Sequence, residues 1–148
     1  SQASSFVVGL SISTEVTDGD LDGLPAAWEA TNGLDDGSAV GVNGADGDPD
    51  GDGVRNIIEW LVGMNPQVAD LSAFPKVGIA SISGGVRLSF PTLPGRQYQL
   101  QSSTSLTAWA NFGDPVITAV DAAPGLVQVD DTSGLPKRFF RMLITPAP

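Results

Sequence analysis

The sequence predicts a mainly β protein in which a small antiparallel β-sandwich follows a duplicated loop-helix unit. Between residues 76 and 144, seven short runs alternate apolar with polar residues, a spacing that is typical of sandwiches. Before them, an Asp-rich segment that begins at Asp18 returns thirty residues later at Asp48. These observations predict three parts: an N-terminal strand in residues 1–14, the duplicated unit in 15–66 and the β-sandwich domain in 67–148.

The N-terminal part contains a predicted strand in residues 5–14. Its apolar residues Phe6, Val8, Leu10 and Ile12 share one face, because successive side chains of a strand point to opposite sides. The strand could pair with the C-terminal sheet, belong to a preceding domain or add to a neighbouring molecule. We favour pairing within the molecule, since the intervening unit would hold the two parts together.

Both Asp-rich segments fit the pattern of a calcium-binding loop. Such a loop has carboxylates at positions 1, 3 and 5, glycine at position 6, a carbonyl ligand at position 7 and Glu at position 12. Two calcium ions are therefore predicted. The expected ligands are Asp18, Asp20, Asp22, the Leu24 carbonyl and Glu29 for the first ion, and Asp48, Asp50, Asp52, the Val54 carbonyl, Asn56 and Glu59 for the second.

The two loops differ at position 9. Asn56 can ligate there directly or through water, whereas Ala26 offers no side-chain oxygen and leaves the place to a water. An alternative register of the second loop begins at Asp46, but its position 12 would be Ile57, which cannot ligate. The loop is therefore expected to begin at Asp48, and Asp46 could serve a third ion or the outer shell.

A short helix is predicted after each loop, and residues 35–47 are predicted to be a connecting loop. The apolar face of the second helix comprises Val54, Ile57, Ile58, Leu61 and Val62, and the shorter stripe of the first comprises Leu24, Ala27 and Trp28. Gly33 and Gly63 are expected to end the helices, because glycine readily adopts the left-handed conformation that follows a helix.

Residues 18–66 resemble the bacterial thrombospondin type 3 repeat and, in the duplication of loop and helix, a dockerin. The resemblance is carried by the Asp, Gly and Glu residues of both EF-hand-like loops, followed by Gly33-Leu34 and Gly63-Met64. It implies structure that calcium stabilises and no catalysis. The dockerin likeness also implies a protein partner.

Charge is unevenly distributed along the chain. Residues 1–66 hold twelve acidic residues and one basic residue, whereas residues 67–148 hold five acidic and six basic residues, and the net charge is −10. Two calcium ions would neutralise part of the acidity of the first half. The few and dispersed basic residues argue against a nucleic-acid partner.

The composition also argues against catalysis. The chain has no cysteine and no histidine, which removes thiol nucleophiles and histidine-based acid–base chemistry, and the obvious carboxylate pairs belong to the calcium loops. No run of 18 apolar residues is present, so no membrane-spanning helix is predicted. Because low-affinity calcium loops suit millimolar calcium, the protein is expected to be secreted, either extracellular or at a cell surface.

The seven predicted strands have a clear inward face where the alternation is strongest. Ser83-Gly84-Gly85 is a predicted hairpin turn between the first two strands. The side chains expected to point inward are Val86, Leu88 and Phe90, then Tyr98 and Leu100, then Phe140, Met142 and Ile144. The runs cover residues 76–82, 86–91, 97–103, 108–112, 115–120, 126–130 and 137–144.

This half resembles a fibronectin type III domain. Leu88 and Phe90 stand where the second strand of such a domain has its core residues, and the segments from Tyr98 and from Phe139 resemble later strands. It is also similar to the small C-terminal β-module that follows such calcium repeats in large secreted bacterial proteins. The resemblance implies a fibronectin type III-like sandwich.

The sequence therefore predicts a non-catalytic secreted structural or adhesion module in which calcium rigidifies the link to a β-sandwich. Its partner would be a protein or glycan at a cell surface. One alternative is a self-assembling filament or surface-layer subunit, joined by addition of residues 5–14 to a neighbour. Another is a dockerin-like or carbohydrate-binding module of a larger enzyme, with Tyr98 and Trp109 on a sugar-binding face, although alternating aromatic residues are more often core.

Overall fold

The computed structural model describes residues 17–135 and 137–148, and the predicted strand in residues 5–14 lies outside them. The described residues form a mainly β fold, as predicted, and each of the seven predicted runs overlaps one strand. No helix in this part of the chain is long and apolar enough to cross a bilayer. The elements are α1 (Ala26–Asn32), α2 (Asn56–Val62), a 3-10 turn (Leu71–Ala73), β1 (Gly78–Ile82), β2 (Gly85–Thr92), β3 (Arg96–Ser103), β4 (Ala110–Asn111), β5 (Val116–Ile117), β6 (Gly125–Asp131) and β7 (Phe139–Pro146).

Each helix is only seven residues long and has sharp ends. The residue before the helix, Pro25 or Arg55, is extended, with ψ of 132° and 150°. The residue after the helix, Gly33 or Gly63, is left-handed, with φ of 71° and 79°. Both predicted helix ends are therefore confirmed.

The predicted apolar face of α2 is only partly buried. Ile57, Ile58 and Leu61 are half-buried, whereas Asn56 and Glu59 of the same helix are fully buried. The reason is the position of this short helix directly behind an Asp-rich loop, so that polar side chains occupy the surface that a longer helix would give to the core.

The first sheet has the strand order β1-β2-β6 and is antiparallel. β1 and β2 form a hairpin in which Ile82 lies opposite Gly85, so Ser83 and Gly84 are the turn residues. Gly84, the second of them, has a φ of 79°, a conformation that glycine adopts readily at this place of a turn and that side chains disfavour. The predicted hairpin is confirmed, with a turn of Ser83 and Gly84 and with Gly85 as the first residue of β2.

The second sheet is built around β3. On one side β7 runs antiparallel along its whole length, from Arg96 opposite Pro146 to Ser103 opposite Phe139. On the other side β4 and β5 pair in turn with the two ends of β3. The chain between these two short strands contains Gly113, which is left-handed with a φ of 73°, and Pro115, which cannot donate a ladder hydrogen bond.

The two sheets contact each other through side chains that the alternation had placed inside. Leu88 and Phe90 of the first sheet and Tyr98 and Leu100 of the second are buried, and the ring centroids of Phe90 and Tyr98 are 5.8 Å apart. Burial of each such side chain contributes about 1.5–3 kcal/mol. The Tyr98 hydroxyl accepts a hydrogen bond from the Leu93 N–H at 2.7 Å, which satisfies its polar end.

A second apolar cluster lies between the helices. Leu24, Leu34 and Trp60 are buried together, and Trp28 packs against them. α2 also contacts β7, and a cavity of about 100 Å³ lies between this helix and the sheets. α2 and the sheets are therefore in direct contact.

Candidate metal centre

Three carboxylates converge in each Asp-rich loop. The candidate ligand oxygens of each set lie within 4.8 Å of one another. Like charges at this separation repel, so a cation between them is favourable. Each set could hold a metal ion: Asp18, Asp20 and Asp22 in the first loop, and Asp48, Asp50 and Asp52 in the second.

Backbone N–H groups hold the first Asp of each loop in place. Asp18 accepts hydrogen bonds from Leu21 at 2.7 Å and from Gly23 at 2.9 Å. Asp48 accepts the equivalent pair, at 2.8 and 3.0 Å, from N–H groups three and five residues further on. The same atoms are joined at the same spacing, so the two loops share one local backbone arrangement.

Glycine at position 6 allows each loop to turn. Gly23 and Gly53 have φ of 100° and 91°, a region in which residues with a side chain are strained. The residue that follows, Leu24 or Val54, donates its N–H to the position-5 carboxylate at 2.9 and 2.8 Å respectively. These two residues are the ones whose carbonyls were predicted as ligands.

Position 4 is also left-handed in both loops, but its residues differ. Gly51 has a φ of 76°, and Leu21 has a φ of 63° although it carries a side chain. Leu21 is 85% exposed, so packing does not compensate for this conformation. The first loop is therefore strained by roughly 1–2 kcal/mol at this residue.

The last acidic residue of each loop is buried. Glu29 and Glu59 are fully buried, and their carboxylate oxygens meet no hydrogen-bond donor among residues 17–135 and 137–148. Burial, followed by the charges of the neighbouring Asp residues, raises the pKa of each to about 7. A buried carboxylate with neither a donor nor a cation is costly, so these oxygens fit the role of metal ligands.

Other oxygen atoms of the loops also lack donors in the described part of the chain. They are Oδ2 of Asp20, Asp50 and Asp52, and Oδ1 of Asn56. Carboxylate, amide and carbonyl oxygens are the ligands that hard divalent cations prefer. The residues present therefore fit such a cation at each loop, and a bound ion would supply the positive charge that offsets the repulsion.

Asn56 at position 9 has a second set of contacts. Its side-chain amide donates to the carbonyls of Val42 and Gly44 at 2.8 and 2.9 Å, and its backbone N–H donates to the Gly47 carbonyl at 2.8 Å. Asn56 thus fastens the connecting segment 42–47 to the second loop. Its side-chain oxygen stays available as the predicted ligand.

The connecting segment also reaches the first loop. Ala45 donates its N–H to Asp22 Oδ2 at 2.6 Å, and its carbonyl accepts a hydrogen bond from the Ile57 N–H at 3.0 Å. One residue therefore contacts both position 5 of the first loop and the helix of the second. The two candidate sites are joined by hydrogen bonds.

Asp46 is engaged by a basic residue. Its carboxylate lies 2.6 Å from the Arg55 guanidinium, and both side chains are mostly exposed. The hydrogen bonds of the second loop match those of the first in the register that begins at Asp48, which leaves Asp46 outside the loop. An exposed pair of this kind contributes little stability, and the predicted third ion near Asp46 gains no support from it.

The loop pattern missed one acidic residue beside the first site. Asp36 Oδ1 accepts a hydrogen bond from the Gly19 N–H at 2.7 Å, and the Asp36 carboxyl is close enough to Glu29 to help raise the pKa of Glu29. The pattern covers twelve residues and does not extend this far. The signal that could have found it is Asp35-Asp36 directly after Gly33-Leu34, where the second copy has Asn65-Pro66.

Arg96 joins α2 to the second sheet. Its guanidinium lies 4.3 Å from the centroid of the Trp60 ring. It also donates to the carbonyls of Trp60, Leu61 and Pro94. Carbonyls at the end of a helix carry partial negative charge, which favours a cation there. Burial lowers the pKa of Arg96 from its ordinary value.

The aromatic residues of the predicted sugar-binding face are engaged within the protein. Tyr98 is buried in the core. Trp109 is half-buried, and the Arg141 guanidinium lies 4.5 Å from the centroid of its ring. Gln101 is bound to the side chains of Asn111 and Arg141. Tyr98 is thus a core residue, the role that alternation favours.

No protein-family model, curated protein or solved structure matches this chain. Its class is therefore defined by fold and site alone: a mainly β protein with two antiparallel sheets and two Asp triads that could each hold a metal ion.

Proposed function

We propose that this protein is a non-catalytic, secreted structural or adhesion module that binds two calcium ions. The ions order the segment up to residue 66 and rigidify its link to a fibronectin type III-like β-sandwich. The observation that carries the proposal is the pair of fully buried glutamates, Glu29 and Glu59. Each lies beside an Asp triad and meets no hydrogen-bond donor within the described part of the chain. A cation at each site would offset the repulsion between the carboxylates and the cost of burying the glutamate.

The ligand set favours calcium over other divalent ions. Zinc prefers nitrogen and sulfur ligands, and the chain contains neither histidine nor cysteine. Magnesium demands compact octahedral geometry and usually keeps several waters. Three Asp residues, one carbonyl and a bidentate Glu supply six protein oxygens in each loop, which suits the larger and more adaptable calcium shell.

A structural role is supported by the size of the elements. Helices of seven residues are marginal on their own in water, and the carboxylates of each loop repel one another when no cation is present. An ion would remove that repulsion and hold loop and helix together. Arg96 of β3 contacts Trp60 and Leu61 of α2, so an ordered helix would also hold its position against the second sheet.

Two resemblances support the same function. Residues 18–66 are similar to the bacterial thrombospondin type 3 repeat, in which calcium stabilises structure. Two antiparallel sheets that contact each other through Phe90 and Tyr98 agree with a fibronectin type III-like sandwich. Repeats of this kind in secreted proteins support an extracellular or cell-surface location.

Calorimetric titration of the calcium-free full chain tests the proposal. We expect two ions per chain, and one ion per chain for Glu29→Gln and for Glu59→Gln. Asp46→Asn is a matched control, because it also removes one negative charge but lies outside both loops. A stoichiometry near zero for the unmodified chain would contradict calcium binding.

Limited proteolysis tests the structural role separately. With a chelator, cleavage is expected between residues 18 and 66, and a fragment near residues 75–148 should persist. With calcium, the same sites should be protected. Equal resistance under both conditions would mean that the ions are not structural.

A second candidate function is assembly by strand addition, and exposed strand edges favour it. Within the described residues β1, β6 and β7 are each paired on one side only, and Ile79 and Leu126 are each 65% exposed. Residues 5–14 could add to such an edge and gain main-chain hydrogen bonds.

The double variant Val8→Asp, Leu10→Asp distinguishes the possibilities for this segment. Loss of oligomers in a mass measurement supports assembly between chains. A lower melting temperature with an unchanged monomer mass supports pairing within one chain. No change in either would contradict both.

A further inference from the structure

The two loops share most contacts, but three of the residue differences between the copies change the polar groups beside the candidate sites. Equivalent residues are thirty positions apart, and each difference adds or removes a polar group. Gly19 corresponds to Pro49, Ala26 to Asn56, and Asp36 to Pro66. The polar surroundings of the two candidate sites are therefore not the same.

Asp36 is held against the first loop by contacts that the second loop cannot make. The Gly19 N–H donates to Asp36 Oδ1 at 2.7 Å. A Cβ at residue 19 would lie 2.5 Å from Asp36 Oδ2 and 2.9 Å from its backbone oxygen, so glycine is needed for this approach. Pro49 at the same position of the second loop has no N–H to donate.

Asp36 adds a further negative charge beside the carboxylates of the first loop. Asp20 Oδ2 and both oxygens of Glu29 are buried and meet no donor in the described parts of the chain, and Glu29 is fully buried. The Gly19 N–H that holds Asp36 lies between Asp18 and Asp20 in the chain, so the Asp36 carboxyl lies beside the first loop, where a cation would relieve the repulsion between like charges.

The first loop has fewer oxygens of its own to offer an ion. Position 9 is Ala26, which has no side-chain oxygen. Asp22 Oδ2 already accepts a hydrogen bond from Ala45 at 2.6 Å, whereas the equivalent oxygen of Asp52 is buried with no donor in the described structure. A carboxylate from outside the loop would compensate for this difference.

We propose that Asp36 is a ligand of the first ion and takes the place that Asn56 has at the second. The inference rests on the proposed function, since it requires a cation at the first loop. The first site then has five side-chain carboxylates and the second has four with one amide. Because affinity rises with the number of charged ligands, the first site binds calcium more tightly.

Calcium titration of the full chain with Glu59→Gln isolates the first site. In that background Asp36→Asn keeps an oxygen for the Gly19 N–H but loses its charge, and is expected to weaken binding about tenfold or more. Asp35→Asn is the matched control. Asp35 is exposed, and its oxygen accepts a hydrogen bond from Gly37 that asparagine can keep, so binding should change less than about twofold.

Thermal melting separates a ligand from a residue that only supports the fold. Asp36→Asn should raise the melting temperature in chelator, because one repelling carboxylate is gone, and should reduce the rise that calcium produces. A supporting residue would lower the melting temperature under both conditions. Gly19→Ala, which displaces Asp36, should weaken the first site without affecting the second.

The outcomes for the two proposals differ. If the unmodified chain binds no calcium, the proposed function fails. If it binds two ions and Asp36→Asn leaves the affinity of the first site unchanged, the proposed function stands and the role of Asp36 is wrong.

Discussion

The guanidinium of Arg96 lies 4.3 Å from the centroid of the Trp60 ring and donates to the carbonyl of the same residue. Arg96 begins β3, the strand around which the second sheet is built, and Trp60 follows Glu59 in α2. One side chain thus connects the neighbour of a candidate metal ligand to the centre of a sheet. We infer that ion binding and sheet stability are coupled through this pair.

Replacement of Arg96 should break this coupling. Arg96→Ala removes the contact with Trp60 and the hydrogen bonds to the helix carbonyls, so the free energy of unfolding in calcium should fall by about 2 kcal/mol or more. Scanning calorimetry should then resolve two transitions in place of one. Arg96→Lys retains the charge but cannot form all of these hydrogen bonds, and an intermediate loss is expected. An unchanged single transition for Arg96→Ala would contradict the coupling.

The stability of the calcium-free protein should fall as the pH rises. Burial, and then the neighbouring Asp charges, raise the pKa of Glu29 and Glu59 from 4.5 to about 7 in the folded chain. The folded state therefore binds these protons more tightly than the unfolded state. This stabilisation is complete below the unfolded pKa and is lost as the pH rises through the folded pKa. The melting temperature in chelator should be higher at about pH 5.5 than at about pH 8.

Calcium should reverse this dependence, because the ions bind the deprotonated carboxylates and protons compete with them. The double variant Glu29→Gln, Glu59→Gln is the control, and its melting temperature in chelator should change little over the same range. An equal slope with and without calcium would show that these glutamates do not bind the ions.

Leu21→Gly should stabilise the protein. Leu21 is left-handed with a φ of 63° and is 85% exposed, so glycine relieves strain without loss of packing. A gain of roughly 1 kcal/mol is expected in urea unfolding with calcium. Leu21→Ala keeps the strain and should change little, and Gly51→Ala should cost about as much as Leu21→Gly gains. A loss of stability for Leu21→Gly would contradict the strain.

Asn56→Asp distinguishes the role of Asn56 as a metal ligand from its role as a hydrogen-bond donor to the connecting segment 42–47. The variant adds a carboxylate to the second site but removes the amide donor to the carbonyls of Val42 and Gly44. Two acceptors then lose their donor, so the free energy of unfolding in excess calcium should fall by about 1–3 kcal/mol. Asn56→Ala, which lacks both functions, should be at least as harmful. Higher stability for Asn56→Asp would mean that ligation is the main role of this residue.

The strand positions could be predicted because strand side chains alternate with a period of two. Leu88, Phe90, Tyr98 and Leu100 are buried as that pattern required, and Gly84 provides the conformation that its turn needs. The burial of α2 was predicted less well. A helix of seven residues has too few turns for its apolar stripe to decide its orientation, and the polar residues Asn56 and Glu59 point inward instead.

The loop residues could be located from their spacing, but their wider surroundings could not. Gly19 and Asp36 are separated by 17 residues, and their contact depends on the direction of the chain after Gly33. Arg96 and Trp60 are 36 residues apart and belong to different kinds of element. No local periodicity encodes either contact. The identity of the ion and the domain boundaries stay predictions.

The thirty-residue correspondence between the loops limits how each copy can change. If Asp36 completes the first shell and Asn56 the second, the effect of a residue at position 26 depends on the residue at position 36. Loss of Asp36 alone would weaken calcium binding at the first site, and Ala26→Asn would partly restore it. The two positions would then show epistasis within one copy. A substitution that leaves ion binding intact in one loop would then weaken it at the equivalent position of the other loop. Exchange of sequence between the copies should succeed only when residues 19, 26 and 36 are exchanged together for their counterparts at 49, 56 and 66.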